Sequence, residues 1–94
     1  MANQEPLEIL KKGVEAWNKW RMKNPEAEVD LSFAPIRWMN LSGANLTGAN
    51  LTQSILFEVN LSKAKLSGAR LIDANPRSVD FVGADLSEIG RAHV

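Results

Sequence analysis

The side chains that could perform chemistry are few in this chain of 94 residues. His93 is the only histidine and stands next to the C-terminus, and the absence of cysteine leaves no thiolate to bind a metal or form a disulfide. The sequence contains neither the phosphate-binding pattern G-x-x-x-x-G-K nor the G-x-S-x-G pattern of a serine nucleophile. We therefore predict no catalytic residues, no cofactor or metal site and no enzymatic activity.

Charge and hydropathy argue against a nucleic-acid or membrane partner. The eleven basic and eleven acidic side chains cancel, whereas a protein that binds a polyanion normally carries a basic patch. The N-terminal segment has no basic start followed by an apolar run. No apolar stretch reaches the roughly 18 residues of a membrane-spanning helix. We therefore expect a cytoplasmic protein with no nucleic-acid and no membrane partner.

The dominant pattern in the chain is a period of five residues that begins at Val29. A small or β-branched residue, an Asn or Asp and a large apolar residue recur in that order, and glycine, serine and threonine are common in the two remaining positions. Pro76 falls in the large apolar phase and predicts a local bulge, because it cannot donate a backbone hydrogen bond. The other large apolar residues form the predicted core columns: Leu31, Ile36, Leu41, Leu46, Leu51, Leu56, Leu61, Leu66, Leu71, Phe81 and Leu86.

A period of five fits neither an α-helix, at about 3.6 residues per turn, nor a continuous strand, at about 2. The two apolar positions of each unit are two residues apart, so they face the same side of an extended segment. A corner after each unit can then reset the alternation. If each corner turns the chain through about a right angle, four units close one coil, and coils stack about 4.8 Å apart. Residues 29–94 are therefore predicted to form a mainly β solenoid of about three coils.

The motifs ANLTG, ANLTQ, ANPRS and ADLSE resemble the pentapeptide-repeat family, whose consensus is similar to A(D/N)LxG. The resemblance covers about residues 29–90, and it is specific because the motif repeats in one phase. It implies a right-handed, four-sided β-helix. It also implies no catalytic or cofactor-binding residues, because the family shares none.

Residues 1–28 are predicted to form an N-terminal cap, built on one amphipathic helix from about Pro6 to Lys23 and a connector. Caps are needed because the end of a solenoid exposes unpaired backbone groups and core side chains. We expect Phe33 and Trp38 to extend up to the helix. The alternative is a membrane-surface or partner-binding helix. The apolar face that would cover the first coil consists of Leu7, Leu10, Val14, Trp17 and Trp20.

One face of the predicted solenoid departs from the repeat. Folding the sequence at twenty residues places Arg37, Phe57 and Arg77 in one outward column where other faces carry small polar residues. Aromatic and arginine side chains are typical of interface cores. The candidate interaction surface is therefore Arg37, Trp38, Ile55, Phe57 and Arg77. The alternative is that Trp38 and Phe33 pack under the cap and that Phe57 is an isolated exposed aromatic.

The C-terminal end lacks an obvious cap, because the chain continues after Leu86 only as SEIGRAHV. Either the last coil is left open or something covers it. A second copy stacked end to end would give a symmetric homodimer, and a downstream domain would serve equally. We expect a covered end.

These features predict a non-catalytic structural or protein–protein interaction module whose partner is an unknown protein or a second copy. The segment GVEAWNKWRMKNP resembles the leader of bacterial, often cyanobacterial-type, members of the family, some of which carry a signalling domain after the repeats. The chain is therefore interpreted as the N-terminal scaffold of a larger signalling or effector protein. The alternative is a DNA mimic that binds a type II topoisomerase. That role needs a strongly acidic rod, whereas residues 29–94 carry six acidic and six basic side chains.

Overall fold

The computed structural model describes residues 4–75 and 77–89, which begin with two short α-helices rather than one. These are α1 (Gln4–Lys11) and α2 (Val14–Lys23). The prediction of a single helix from Pro6 to Lys23 is therefore wrong. Gly13 separates the helices at a φ of 112°, a conformation that glycine adopts without the steric cost of a Cβ. Neither described helix is long and apolar enough to cross a membrane.

After the helices, the chain repeats one five-residue unit made of a tight turn and a single bridging residue. The large apolar residue opens each turn, and its carbonyl accepts the N–H three residues later, as in Ala44 to Leu41 at 3.0 Å. The third turn residue has a positive φ, as a type II turn requires. Glycine fills this place in some units, including Gly43, but eight described units hold a non-glycine residue there. Those residues carry a steric cost of about 1–2 kcal/mol each.

Every described bridge joins two residues that are twenty apart, and all eight are parallel. The chain therefore stacks on itself in coils of twenty residues, which we number first (29–48), second (49–68) and third (69–88). Four bridge columns run through the stack and begin at Asp30, Pro35, Asn40 and Asn45. The described residues contain no strand longer than one bridge and no sheet. The expectation of a mainly β fold needs this correction, because the turns occupy most of each short unit.

The interior of the stack is filled by the large apolar column. In the third coil Leu71 remains buried and Phe81 is half-buried, whereas Leu86 is 44% exposed. The prediction that Leu86 is a core residue is therefore wrong, because no described coil stacks on the third one. Pro76 lies outside the described residues. The predicted core residues of the first two coils are fully buried, namely Leu31, Ile36, Leu41, Leu46, Leu51, Leu56, Leu61 and Leu66.

The Asn and Asp residues of the repeat stabilise the turns. Asn40 Oδ1 accepts the backbone N–H of Ser42 at 3.1 Å, and Asn60 Oδ1 accepts that of Ser62 at 2.9 Å. The same contact is made by Asp30, Asp80 and Asp85. Each of these oxygens mimics a backbone carbonyl and closes an Asx turn. An acceptor before the large apolar residue therefore stabilises the turns that have one, although units with Pro35, Ile55 or Lys65 at this position form the same turn without it.

Stability is expected to fall in acid partly through Asp30 and Asp85. The Ser32 hydroxyl lowers the pKa of Asp30 and the Ser87 backbone N–H lowers the pKa of Asp85. A carboxyl whose pKa is lower in the folded state stabilises the fold above its unfolded pKa of about 3.9. That contribution disappears as the pH falls through the folded pKa. The double variant Asp30→Asn/Asp85→Asn keeps an acceptor oxygen at both positions, but its amide side chains cannot titrate.

Urea unfolding at neutral pH and at about pH 3 measures this effect. The double variant is expected to lose less unfolding free energy between the two pH values than the unsubstituted protein. Asp73→Asn is the control, because the Asp73 carboxylate makes no hydrogen bond to a described residue. An equal acid response in the protein and the double variant would contradict the assignment.

Candidate interaction surfaces

The predicted interaction residues lie on successive turns of the stack. Arg37 and Trp38 belong to the first coil, Phe57 to the second and Arg77 to the third. The Trp38 backbone N–H donates to the Phe57 carbonyl at 2.8 Å, and the Glu58 N–H donates to the Arg77 carbonyl at 2.9 Å. These ladder bonds hold the three turns in register. Their side chains therefore form one surface along the height of the stack.

Side-chain contacts link the residues of this surface in pairs. The Arg37 guanidinium lies 5.4 Å from the Trp38 ring centroid, and that of Arg77 lies 5.5 Å from the Phe57 ring centroid. Both distances are within the range of a cation–π interaction. Trp38 Nε1 also donates to Glu58 Oε2 at 2.9 Å, a contact that the sequence did not predict. We call these five residues, with the half-buried Ile55 beside them, the aromatic–arginine surface.

The aromatic–arginine surface is open to solvent. Trp38 is 65% exposed and Phe33, on the neighbouring turn, is 51% exposed. The expectation that both residues reach the cap is therefore wrong, and so is the alternative that they pack beneath it. The reason is that α2 docks on a different part of the first coil. Phe57 is half-buried, whereas both arginines are exposed.

Pro35 loosens the ladder at the lower edge of this surface. In most units the N–H of the large apolar residue donates to the coil above, as Leu41 does to the carbonyl of Asn60 at 2.8 Å. Ile36 instead donates to the carbonyl of Ala34 at 3.1 Å. Pro35 has no N–H to offer, which makes this edge a poor template for another strand. The aromatic–arginine surface therefore presents side chains rather than a backbone edge.

The N-terminal end is closed by α2, which supplies the groups that a further coil would supply. In the second coil, the Lys65 N–H and carbonyl pair with the coil below. The corresponding groups of Asn45 pair with α2: Trp17 Nε1 donates to the carbonyl at 2.8 Å, and Asn18 Oδ1 accepts the N–H at 2.8 Å. Arg21 Nη2 donates to the Thr47 carbonyl at 2.8 Å. Three side chains of α2 thus make the hydrogen bonds that the backbone of a further coil would make below Asn45 and Thr47.

The predicted apolar face of the cap lies against the stack. Leu7, Leu10 and Trp17 are buried in the same cluster as the coil interior, and Val14 and Trp20 are partly buried against it. The rings of Trp17 and Trp20 lie 5.2 Å apart. The sequence did not predict the roles of Asn18 and Arg21. The sequence signal is their spacing: Arg21 follows Trp17 by four residues and Asn18 by three, which places Arg21 on the docking side of α2 and Asn18 at its edge.

The C-terminal end of the stack differs from the N-terminal end. Leu86 is 44% exposed and Val82 is 75% exposed. In the first two coils, N–H groups at the positions of Phe81, Gly83 and Leu86 donate to the coil above. Within the described part of the chain, these three third-coil N–H groups find no acceptor. This end therefore presents both apolar side chains and unpaired backbone donors. The segment after residue 89, including His93, lies outside the described residues.

The geometry defines a class of repeat protein, in which five-residue units stack in coils of twenty. Comparison with protein families identifies eight copies of pentapeptide repeats, over residues 36–71 and 60–89. The match spans more than half of the chain, so the chain belongs to the pentapeptide-repeat family, and the sequence prediction of the family is confirmed. No curated protein matches the chain. Among the described residues, no histidine, cysteine and carboxylate side chains are grouped as metal ligands would be.

Proposed function

We propose that the protein is a non-catalytic module for protein–protein interaction, built on a right-handed, four-sided β-helix. The four parallel bridge columns and the coil of twenty residues support this architecture. The family match supports a non-catalytic repeat protein. A rigid stack of this kind presents side chains at fixed spacing, which lowers the entropy lost when a partner binds.

The aromatic–arginine surface carries the proposal. Tryptophan and arginine are the residue types that most often dominate the energy of an interface. Trp38 is 65% exposed, yet its ring is already held by Glu58 and Arg37. Binding would therefore bury a large aromatic ring that loses little conformational freedom. The leader resemblance favours a scaffold role within a larger bacterial signalling or effector protein in the cytoplasm.

The partner at the C-terminal end is proposed to be a second copy of the chain. Two such ends in contact would cover Leu86 and Val82 and give the unpaired N–H groups a route to acceptors. A symmetric, self-complementary contact of this kind closes as a dimer. A DNA-mimic role is disfavoured, because eleven basic side chains balance the eleven acidic ones and a mimic needs an acidic field.

Trp38→Ser tests the aromatic–arginine surface, and Leu86→Asp tests the open end. A partner protein is first captured from a bacterial lysate and then titrated with each variant. We expect it to bind Trp38→Ser at least about tenfold more weakly than the unsubstituted protein. Phe33→Ser is the matched control, because Phe33 is also an exposed aromatic at the positive-φ turn position. Light scattering is expected to show a dimer that Leu86→Asp converts to a monomer.

Two results would overturn these proposals separately. If Phe33→Ser weakens capture as much as Trp38→Ser, the aromatic–arginine surface is not the binding site. If the molar mass of the unsubstituted protein is that of a monomer, the open end does not bind a second copy. Circular dichroism of each variant shows whether its fold is retained.

A further inference from the structure

A polar cleft of about 530 Å³ lies beside the cap and is separate from both surfaces described above. One side is the segment that joins α2 to the first coil, including Glu28. The other side is a corner of the stack, formed by Gly48, Gly68 and Arg70. Arg21, at the end of α2, also lines it. The cleft therefore lies between the cap and one corner of the stack, with lining residues from all three coils.

Two stacked glycines keep the cleft open. Gly48 and Gly68 occupy the same corner position of the first and second coils, and an added Cβ at either would meet nothing within 4 Å. The corresponding residue of the third coil is Glu88, whose side chain is exposed. A positive φ does not by itself require glycine, because Lys63 and Glu58 adopt it at the same turn position of other units. At this corner the absence of two side chains creates room for a ligand.

Several hydrogen-bond donors in the cleft have no acceptor among the described residues. Arg21 is fixed by the bond from Nη2 to the Thr47 carbonyl, and its Nη1 has no hydrogen-bond partner among the described residues, whereas its unpartnered Nε is buried and out of reach of a ligand. Burial lowers the pKa of Arg21, because its charge is poorly solvated. Asn50 uses its Oδ1 for the turn at Thr52, so its amide N–H groups remain available. Arg70 is exposed and forms no ion pair with a described residue.

The acidic residues of the cleft offset these donors only in part. Asp30 Oδ1 already accepts two hydrogen bonds, from the backbone N–H and the hydroxyl of Ser32. Glu28 is exposed at the rim and forms no ion pair with Arg21 or Arg70. An anion that reaches the two arginines would compensate the poorly solvated charge of Arg21 and form charge-assisted bonds. Glu28 and the ionised carboxylate of Asp30 would oppose that anion.

We propose that this cleft binds a small ligand through an oxyanion group, a carboxylate or a phosphate, held between Arg21 and Arg70. The cleft has room for more than a single ion, so the rest of the ligand lies along the corner formed by Gly48 and Gly68. The site is independent of the proposed protein interface, because Trp38 and Phe57 do not line it.

Titration of the ¹⁵N-labelled protein with citrate and, separately, with inorganic pyrophosphate tests the site. Saturable shifts are expected for the amides of Gly48 and Gly68 but not for those of Gly43 and Gly83, which occupy another corner. Arg70→Gln is expected to weaken binding about tenfold, as the loss of one charge-assisted bond would. Glu28→Gln is expected to strengthen it. Lys63→Gln, which removes one positive charge from an exposed residue outside the cleft, is the control and leaves binding unchanged.

The comparison of variants separates a site from general attraction to charge. Citrate or pyrophosphate binding with the expected order of variants supports the proposal, and the stronger probe identifies the oxyanion. Equal weakening by Arg70→Gln and Lys63→Gln would mean that only net charge matters, which overturns it. The absence of saturable shifts with both probes overturns it as well.

Discussion

Leu66→Ala is expected to lower the free energy of unfolding by about 2–5 kcal/mol, as a buried Leu→Ala substitution does when the cavity cannot collapse. Leu66 is fully buried in the second coil and lies between Leu46 and Leu86 in one column. Coils of the stack are fixed by ladder bonds on both sides, such as Leu46 N–H to the Lys65 carbonyl at 2.8 Å. The walls therefore cannot close around the missing methyl groups. Chemical denaturation measures the loss.

Leu86→Ala is the matched control for this prediction. It removes the same atoms from the same column, but Leu86 is 44% exposed at the open end. In the monomer, at a protein concentration too low for the proposed dimer to form, the expected loss is about 1 kcal/mol, because much of the side chain contacts water. Comparable losses for the two variants would show that the end of the stack is as well covered as its middle. That result would contradict the description of the C-terminal end as open.

The five-residue period predicts the stack because one phase determines the whole interior. A large apolar residue two positions after a small one must face the same side, and only a corner can restart that alternation after five residues. The sequence alone therefore predicts that Leu46 and Leu66 stack on each other in successive coils. The same argument fails for Leu86, because periodicity describes neighbours within the repeat and carries no information about what covers its end.

Residues outside the repeat were harder to predict. Gly13 falls in phase with the apolar face of a single helix, and only its φ of 112° reveals the break. Asn18 and Arg21 resemble ordinary surface residues of an amphipathic helix, because their partners are backbone groups of the first coil. Side-chain contacts such as Trp38 with Glu58 depend on rotamers, which a spacing pattern does not determine.

The two ends of the stack differ in how their backbone groups are hydrogen-bonded, so the ends are not equivalent as contact surfaces. At one edge, Trp17, Asn18 and Arg21 make hydrogen bonds to the backbone of Asn45 and Thr47 that a further coil would otherwise make. At the other edge, Phe81 and Leu86 retain unpaired N–H groups among the described residues. Among the described residues, the cap thus covers the first coil, whereas the third coil keeps backbone donors that a further element could use. The proposed contact between two far ends would therefore close as a dimer.

Trp17→Phe is expected to cost about 1–3 kcal/mol of unfolding free energy, because it leaves the carbonyl of the half-buried Asn45 without its donor. Trp17 is fully buried and its Nε1 lies 2.8 Å from that carbonyl. Phenylalanine keeps most of the apolar contact and removes the donor. Trp17→Ala removes both and is expected to cost about 3–5 kcal/mol, a large part of the stability of a small domain.

Denaturation followed by circular dichroism measures these costs without relying on the altered tryptophans. Trp20→Phe is the control, because Trp20 is only partly buried and its ring donates no hydrogen bond to a described residue. If α2 acts as a substitute coil, Trp17→Phe must destabilise the protein more than Trp20→Phe does. Equal losses would mean that the cap acts only by covering apolar surface, and that its hydrogen bonds to the first coil contribute no measurable stability.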